Sequence, residues 1–170
     1  MENDAAAKVS QLAQSEHRWQ ASDTVVQCLA RLSAGKCSFF VVSHRRAPQS
    51  HNPNYALLPD GDVVSESDPL AATKILNACG SQADAALWAE VIARFHPEAA
   101  PGTVLYDAKD ARIAAEKAAA SGHPVRPPAF SISSSSVEFF SMNFESLKLY
   151  RIQATRRDDG SIEVDKQPVS

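Results

Sequence analysis

Glycine is scarce, with six in 170 residues. The chain contains no GxGxxG and no GxxxxGK[ST], so a Gly-rich loop cradling phosphate has no support. The serines at 131–136 form no GxSxG elbow, and a hydrolase nucleophile is not indicated. Cysteine is sparse too: Cys28, Cys37 and Cys79 are odd in number, widely spaced and without a CxxC pair. That pattern argues against a disulfide framework and for reduced thiols in a cytoplasmic protein. His44 and His51 share one loop, with His96 and His123 far off, and no HxxxH occurs. Zinc needs three or four converging ligands, so no metal and no other cofactor is expected.

Excess charge of one sign is missing as well. The net charge is −3. Residues 1–85 hold 7 basic against 9 acidic side chains, and residues 86–170 hold 10 against 11. Neither half carries the basic footprint of a nucleic-acid binder. No apolar run approaches the roughly 20 residues that span a bilayer. The opening Met1-Glu2-Asn3-Asp4 lacks a secretory apolar core.

What is present is ordinary globular material, 44% hydrophobic and 22% charged. The length fits one domain over residues 1–170. The expected fold is α+β: a mostly antiparallel sheet, N-terminal helices, a central group of three helices and a C-terminal β-meander.

Residues 1–34 contain no Gly or Pro. Val9, Leu12, Ala13 and Trp19, then Val25, Val26, Leu29 and Leu32, stand near helical spacing. This predicts two helices, the second capped by Ser22-Asp23 and closed by Gly35. Residues 37–65 read as a strand plus a hairpin. Ser38-Phe39-Phe40-Val41-Val42 is apolar on both faces, as a covered central strand should be. Pro59-Asp60-Gly61-Asp62 supplies turn chemistry between Tyr55–Leu58 and Val63-Val64.

Residues 68–122 read as helices. Asp68 and Pro69 open the first and Gly80 closes it. Ser81-Gln82-Ala83-Asp84 resembles a capping box before Leu87, Trp88, Val91, Ile92 and Phe95. Asp107 caps a third helix running to about Ser121. Residues 129–166 alternate in polarity and predict the meander. Phe139 and Phe140 point to opposite faces of one strand, so both faces need cover.

His44-Arg45-Arg46 follows the central strand directly. Arg offers paired donors to an anion, and loops at strand ends are where sites tend to be built. The alternative reading is a solvated loop start. The cysteines read as structural, and Asp60 and Asp62 as turn residues. Together these readings favour a non-catalytic protein-interaction or regulatory module, acting through a protein partner or self-association. The alternative is a small-ligand binder or enzyme with an anion-binding pocket at the end of the strand 38–43. Its candidate residues are His44, Arg45, Arg46 and Tyr55, with His51 beside them. A third reading, a component of a larger assembly, expects residues 147–155 to form an exposed edge strand.

Overall fold

The computed structural model describes residues 2–30, 32, 36–49, 51–80, 84–107, 110, 116, 120, 122, 124–143, 146 and 148–169. The chain divides into two compact units, Met1–Cys79 and Gly80–Ser170. The expected α+β class with antiparallel pairing is observed, but the strands divide between two sheets rather than share one.

The first unit opens with α1, Glu2–His17. Ala5, Val9 and Ala13 recur every fourth residue and are buried, which gives the helix one apolar stripe. That stripe packs on Phe40, Val42 and Tyr55 of the sheet beneath. Arg18 takes φ 56°, a left-handed residue that ends the helix in the place glycine usually fills.

The second expected N-terminal helix does not form. A short 3-10 turn at Ala21–Asp23 leads into β1, Thr24–Cys28. β-branched Thr24, Val25 and Val26 are stiff at χ1 and suit a pleated surface. Pairing with β2, Ser38–His44, decides the matter, with Val26 opposite Val42. Gly35, the expected helix stop, lies outside the described residues.

β2 is central, as its two apolar faces require, between β1 and β3, Asn54–Leu57. The hairpin from β3 to β4, Val63–Ser65, turns where expected. Gly61 adopts φ 92°, and its amide donates to the Leu58 carbonyl at 3.0 Å. Asp60 accepts from the Asp62 amide at 3.0 Å, the turn role read for it. Helix α2, Ala71–Cys79, completes the unit and buries Ala71, Ala72, Ile75 and Leu76.

The expectation of reduced thiols is corrected here. Cys37 and Cys79 form a disulfide with Cα atoms 5.8 Å apart, 42 residues apart in sequence. That separation lies in the usual range for the bond. Helical and strand geometry bring together two thiols whose spacing in sequence carries no signal. Closing a loop of this size restricts the unfolded chain by about 4 kcal/mol in the chain-entropy account.

The second unit begins with α3, Ala85–Phe95. Asp84 is its N-cap, accepting from the Leu87 amide at 3.0 Å. Ser81, the cap read from the sequence, lies outside the described residues. Of the expected central helices, α2 belongs to the first unit and α3 to the second. Most of the third expected helix also lies outside the described residues, though Asp107 does accept from the Asp110 amide at 3.1 Å.

The second sheet has β7 (Ser136–Asn143) and β8 (Lys148–Arg156) at its centre. β9 (Ile162–Pro168) lies beyond β8. On the other side β7 pairs with β5 (Thr103–Leu105) and β6 (Ala129–Ser131). The meander predicted over residues 129–166 is therefore β6-β7-β8-β9, each strand antiparallel to the next. The strand read as a free edge, residues 147–155, corresponds to β8 and is paired on both sides.

Both faces of β7 are covered within the unit. Phe139 is 1% exposed, on the face that holds Val137 and Phe130, and Phe130 meets Trp88 of α3 edge-on at 5.5 Å. Phe140 joins Leu105, Met142 and Leu149, with Val125 and Val169 packed against them. Truncating a buried Phe costs about 3–5 kcal/mol. Phe139→Ala should therefore lower the unfolding free energy by that much in a urea titration. A loss below about 1 kcal/mol would contradict the packing described here.

Candidate functional site

Tyr55 is fully buried, at 0% exposure. A buried phenol needs a partner for its hydroxyl. Here the hydroxyl donates to Glu16 Oε2 at 2.9 Å, and His17 Nε2 lies 3.1 Å from the same oxygen. Because the phenol gives its proton to Glu16, the imidazole fits as the donor to Tyr55. Burial, then the adjacent Glu16 carboxylate, push the phenol far above its ordinary value. It stays protonated and remains a donor.

Glu16 collects two further hydroxyls. Ser65 donates to Oε2 at 2.9 Å, and Ser67 to Oε1 at 3.4 Å. Three elements therefore converge on one carboxylate: α1 supplies it, β3 supplies Tyr55, and β4 with its following turn supplies the serines. Among the described residues no Lys, Arg or His forms an ion pair with it. Lys8 donates instead to the Gly61 carbonyl at 3.1 Å, and Lys74 pairs with Asp68 at 2.6 Å.

This carboxylate lines an open cleft of about 370 Å³ within the first unit. Leu12, Leu58, Val63 and Val64 form apolar walls, while Glu16, Asp62, Ser65, Ser67, Asp68 and Lys74 add polar groups. The volume is that of a small-molecule site. With Lys74 matched to Asp68, Glu16 and Asp62 leave the lining negative.

The four residues proposed from the sequence are placed differently. His44 ends β2 and meets the Trp19 ring edge-on at 5.2 Å. Trp19 in turn stacks on His17 at 4.7 Å. A run of rings thus joins His44 to Tyr55. His44 Nδ1 accepts from the amides of Arg46 and Ala47 at 3.2 and 2.9 Å, so the imidazole closes the loop after β2. Arg45 and Arg46 are exposed; Arg46 sits 3.1 Å from Asp23, and the Arg45 amide donates to the Asp23 carbonyl. The structure brings His44 and Tyr55 into one network and leaves the two arginines at the surface.

His51 belongs to a second network. It contacts Glu66 Oε1 at 2.7 Å, and Glu66 Oε2 accepts from both the backbone and side chain of Asn54. Burial works to raise the Glu66 carboxyl, but the hydrogen bonds from His51 and Asn54 outweigh it and hold the group below its ordinary value.

In the second unit buried Glu90 accepts from Tyr106 at 2.8 Å and from Arg94 at 3.0 Å. Burial and that carboxylate push the Tyr106 phenol up. Both charges and the phenol are satisfied, and the arrangement reads as a polar pin in the core. Among the described residues no group of three His, Cys, Asp or Glu is placed to hold a metal ion, and no helix is long and apolar enough to cross a membrane.

Glu16, His17, Ser65, Ser67 and Lys74 were not singled out as site residues by sequence reasoning. Glu16 read as a polar flank of a helix, and its one local signal is its position in the last turn of α1. Compared with protein-family models, curated proteins and solved structures, the chain matches none.

Glu66 carries a pH prediction. A carboxyl held low in the fold stabilises it fully above the unfolded value and loses that contribution as pH falls through the folded value. Wild-type stability should therefore drop on acidification below about 4.5, the ordinary value of this carboxyl. Glu66→Gln should lose about 1–3 kcal/mol at pH 7 and show a flatter acid limb. Denaturant unfolding at pH 3 to 7 measures both; equal acid limbs in the two proteins would refute the assignment.

Proposed function

We propose that the chain is a non-catalytic binding module whose cleft in residues 1–79 receives a positively charged group on an apolar stem. The alkylammonium of an amine is the simplest case. The supporting observation is the Glu16 carboxylate, fixed by Tyr55, Ser65 and Ser67 and, among the described residues, paired with no cation. Its donors are neutral hydroxyls, so the negative charge is oriented without being cancelled. A carboxylate held in place before binding spares a ligand the cost of ordering it.

Charge sets the class of ligand and the walls set the strength. An exposed ion pair contributes about 0.2–1 kcal/mol. Each methylene buried against Leu12, Leu58 and Val63 adds about 0.8 kcal/mol. Hexylamine should therefore bind more tightly than butylamine, and hexanol and then hexanoate should bind more weakly. Simple amines should fall near millimolar affinity, about −4 kcal/mol.

Titration calorimetry with this series tests the reading. Glu16→Gln should weaken hexylamine by up to about five-fold, the ratio that corresponds to the upper end of an exposed ion pair's strength. Tyr55→Phe should weaken it less, because two donors to the carboxylate remain. Equal binding of hexanoate and hexylamine, or no saturable binding of any probe, would refute it.

A basic side chain of a protein partner presents the same chemistry and is the second reading. The observation favouring it is Leu70, 58% exposed, one turn before Lys74 of the cleft wall. Leu70 gives a partner an apolar foothold that a free amine does not use. A lysine-containing peptide that binds at least ten times more tightly than hexylamine, and loses that gain with Leu70→Ser, would select this reading.

A further inference from the structure

The disulfide joins the residue before β2 to the last residue of α2. We propose that Cys37–Cys79 is a redox clasp: its reduction releases α2 from the sheet and loosens the wall of the cleft. The effect on the cleft rests on the ligand-binding reading above, whereas the release of the helix does not.

Three features carry the inference. First, α2 has nine residues, fewer than the roughly 12–15 an isolated helix needs to persist in water. Its order must come from packing and attachment. Second, its buried face is thin. Two of its four buried residues, Ala71 and Ala72, offer little apolar surface, and only Ile75 and Leu76 are large. Third, the clasp lies at the C-terminal end, while Lys74, about one and a half turns further back, is on the cleft wall and pairs with Asp68. Freeing the end frees the turn that carries Lys74.

Access to the bond is graded. Cys37 is 2% exposed, whereas Cys79 is half-buried. Exchange proceeds by attack of a thiolate on an accessible sulfur. A thiolate from a dithiol reductant attacks Cys79 Sγ, the sulfur–sulfur bond breaks, and Cys37 leaves as a thiolate that takes up a proton. The reductant's second thiolate then displaces Cys79, which is protonated in turn, and the reductant departs as its own disulfide. Two electrons pass to the protein, and a disulfide oxidant reverses the sequence. Disulfides persist in oxidising surroundings, whereas glutathione and thioredoxin keep thiols reduced in a cytosol, and accessible disulfides are the labile ones, so the clasp would report which of the two the protein occupies.

The test uses the full wild-type chain, oxidised and after dithiothreitol treatment. Non-reducing peptide mapping of the oxidised protein should recover the Cys37 and Cys79 peptides as one covalent species. Finding them separately alkylated would overturn the proposal. Hydrogen exchange, which reads local opening, should then accelerate at least ten-fold across residues 71–79 on reduction, with residues 5–16 unchanged. Unchanged exchange at 71–79 in fully reduced protein would overturn it as well. Cys37→Ser/Cys79→Ser should match the reduced protein, with circular dichroism confirming that it is folded. Hexylamine affinity should fall at least three-fold on reduction, and equal affinity in both states would overturn the link to the cleft. Faster exchange at 71–79 with no amine bound in either state would support the clasp and refute the ligand reading alone.

Discussion

Burying the phenol of Tyr55 is the constraint on which the first unit turns. A ring at 0% exposure in β3 contributes apolar contact to the core under α1, but its hydroxyl must not be left without a partner. Glu16 answers that need from the last turn of α1. The hydrogen bond therefore does two things at once. It docks the end of the helix on the sheet, and it draws a carboxylate to a defined point beside β4. Ser65 of β4 and Ser67 just after it complete the set. A charge that would otherwise wander in solvent is held on the lining of a cleft because a tyrosine had to be satisfied.

The second unit solves a similar problem with the opposite outcome. Glu90 is buried on α3 and accepts from Tyr106 and Arg94. Its charge is met by a guanidinium on its own helix, four residues on. Burial of a carboxylate is costly unless it is paired and hydrogen-bonded, and here it is both. Glu16 differs in having hydroxyl donors and, among the described residues, no cation. Two carboxylates with similar phenol partners thus take different roles. One pins a core, and the other stands oriented toward solvent.

Much of the local structure was legible because it follows from local rules. The helical spacing of Val9, Leu12 and Ala13, the Pro-Asp-Gly turn, the covered strand Ser38–Val42 and the alternation along β8 each require only neighbours in sequence to be recognised. Thr24–Cys28 was misread. Val25, Val26, Leu29 and Leu32 fit helical spacing as well as strand spacing, and short apolar runs do not separate the two by period. The partner that resolves the ambiguity, β2, comes ten residues later. The candidate site was legible only in part. Tyr55 and His44 were identified, but for an anion pocket, and Glu16, which with Asp62 makes the cleft lining negative, looked like any charged residue on a helix flank.

The sequence alone determined that this is an antiparallel α+β chain, with its turn near Gly61 and its core residues mostly in place, because side-chain period and turn chemistry act over a few residues. Only the tertiary structure decided that the strands form two sheets, that Cys37 meets Cys79, and that Glu16, Tyr55, Ser65 and Ser67 share one point. Those depend on contacts between residues about 40 to 50 positions apart. No local preference encodes such a meeting; it exists once helix, strand and turn are packed against one another.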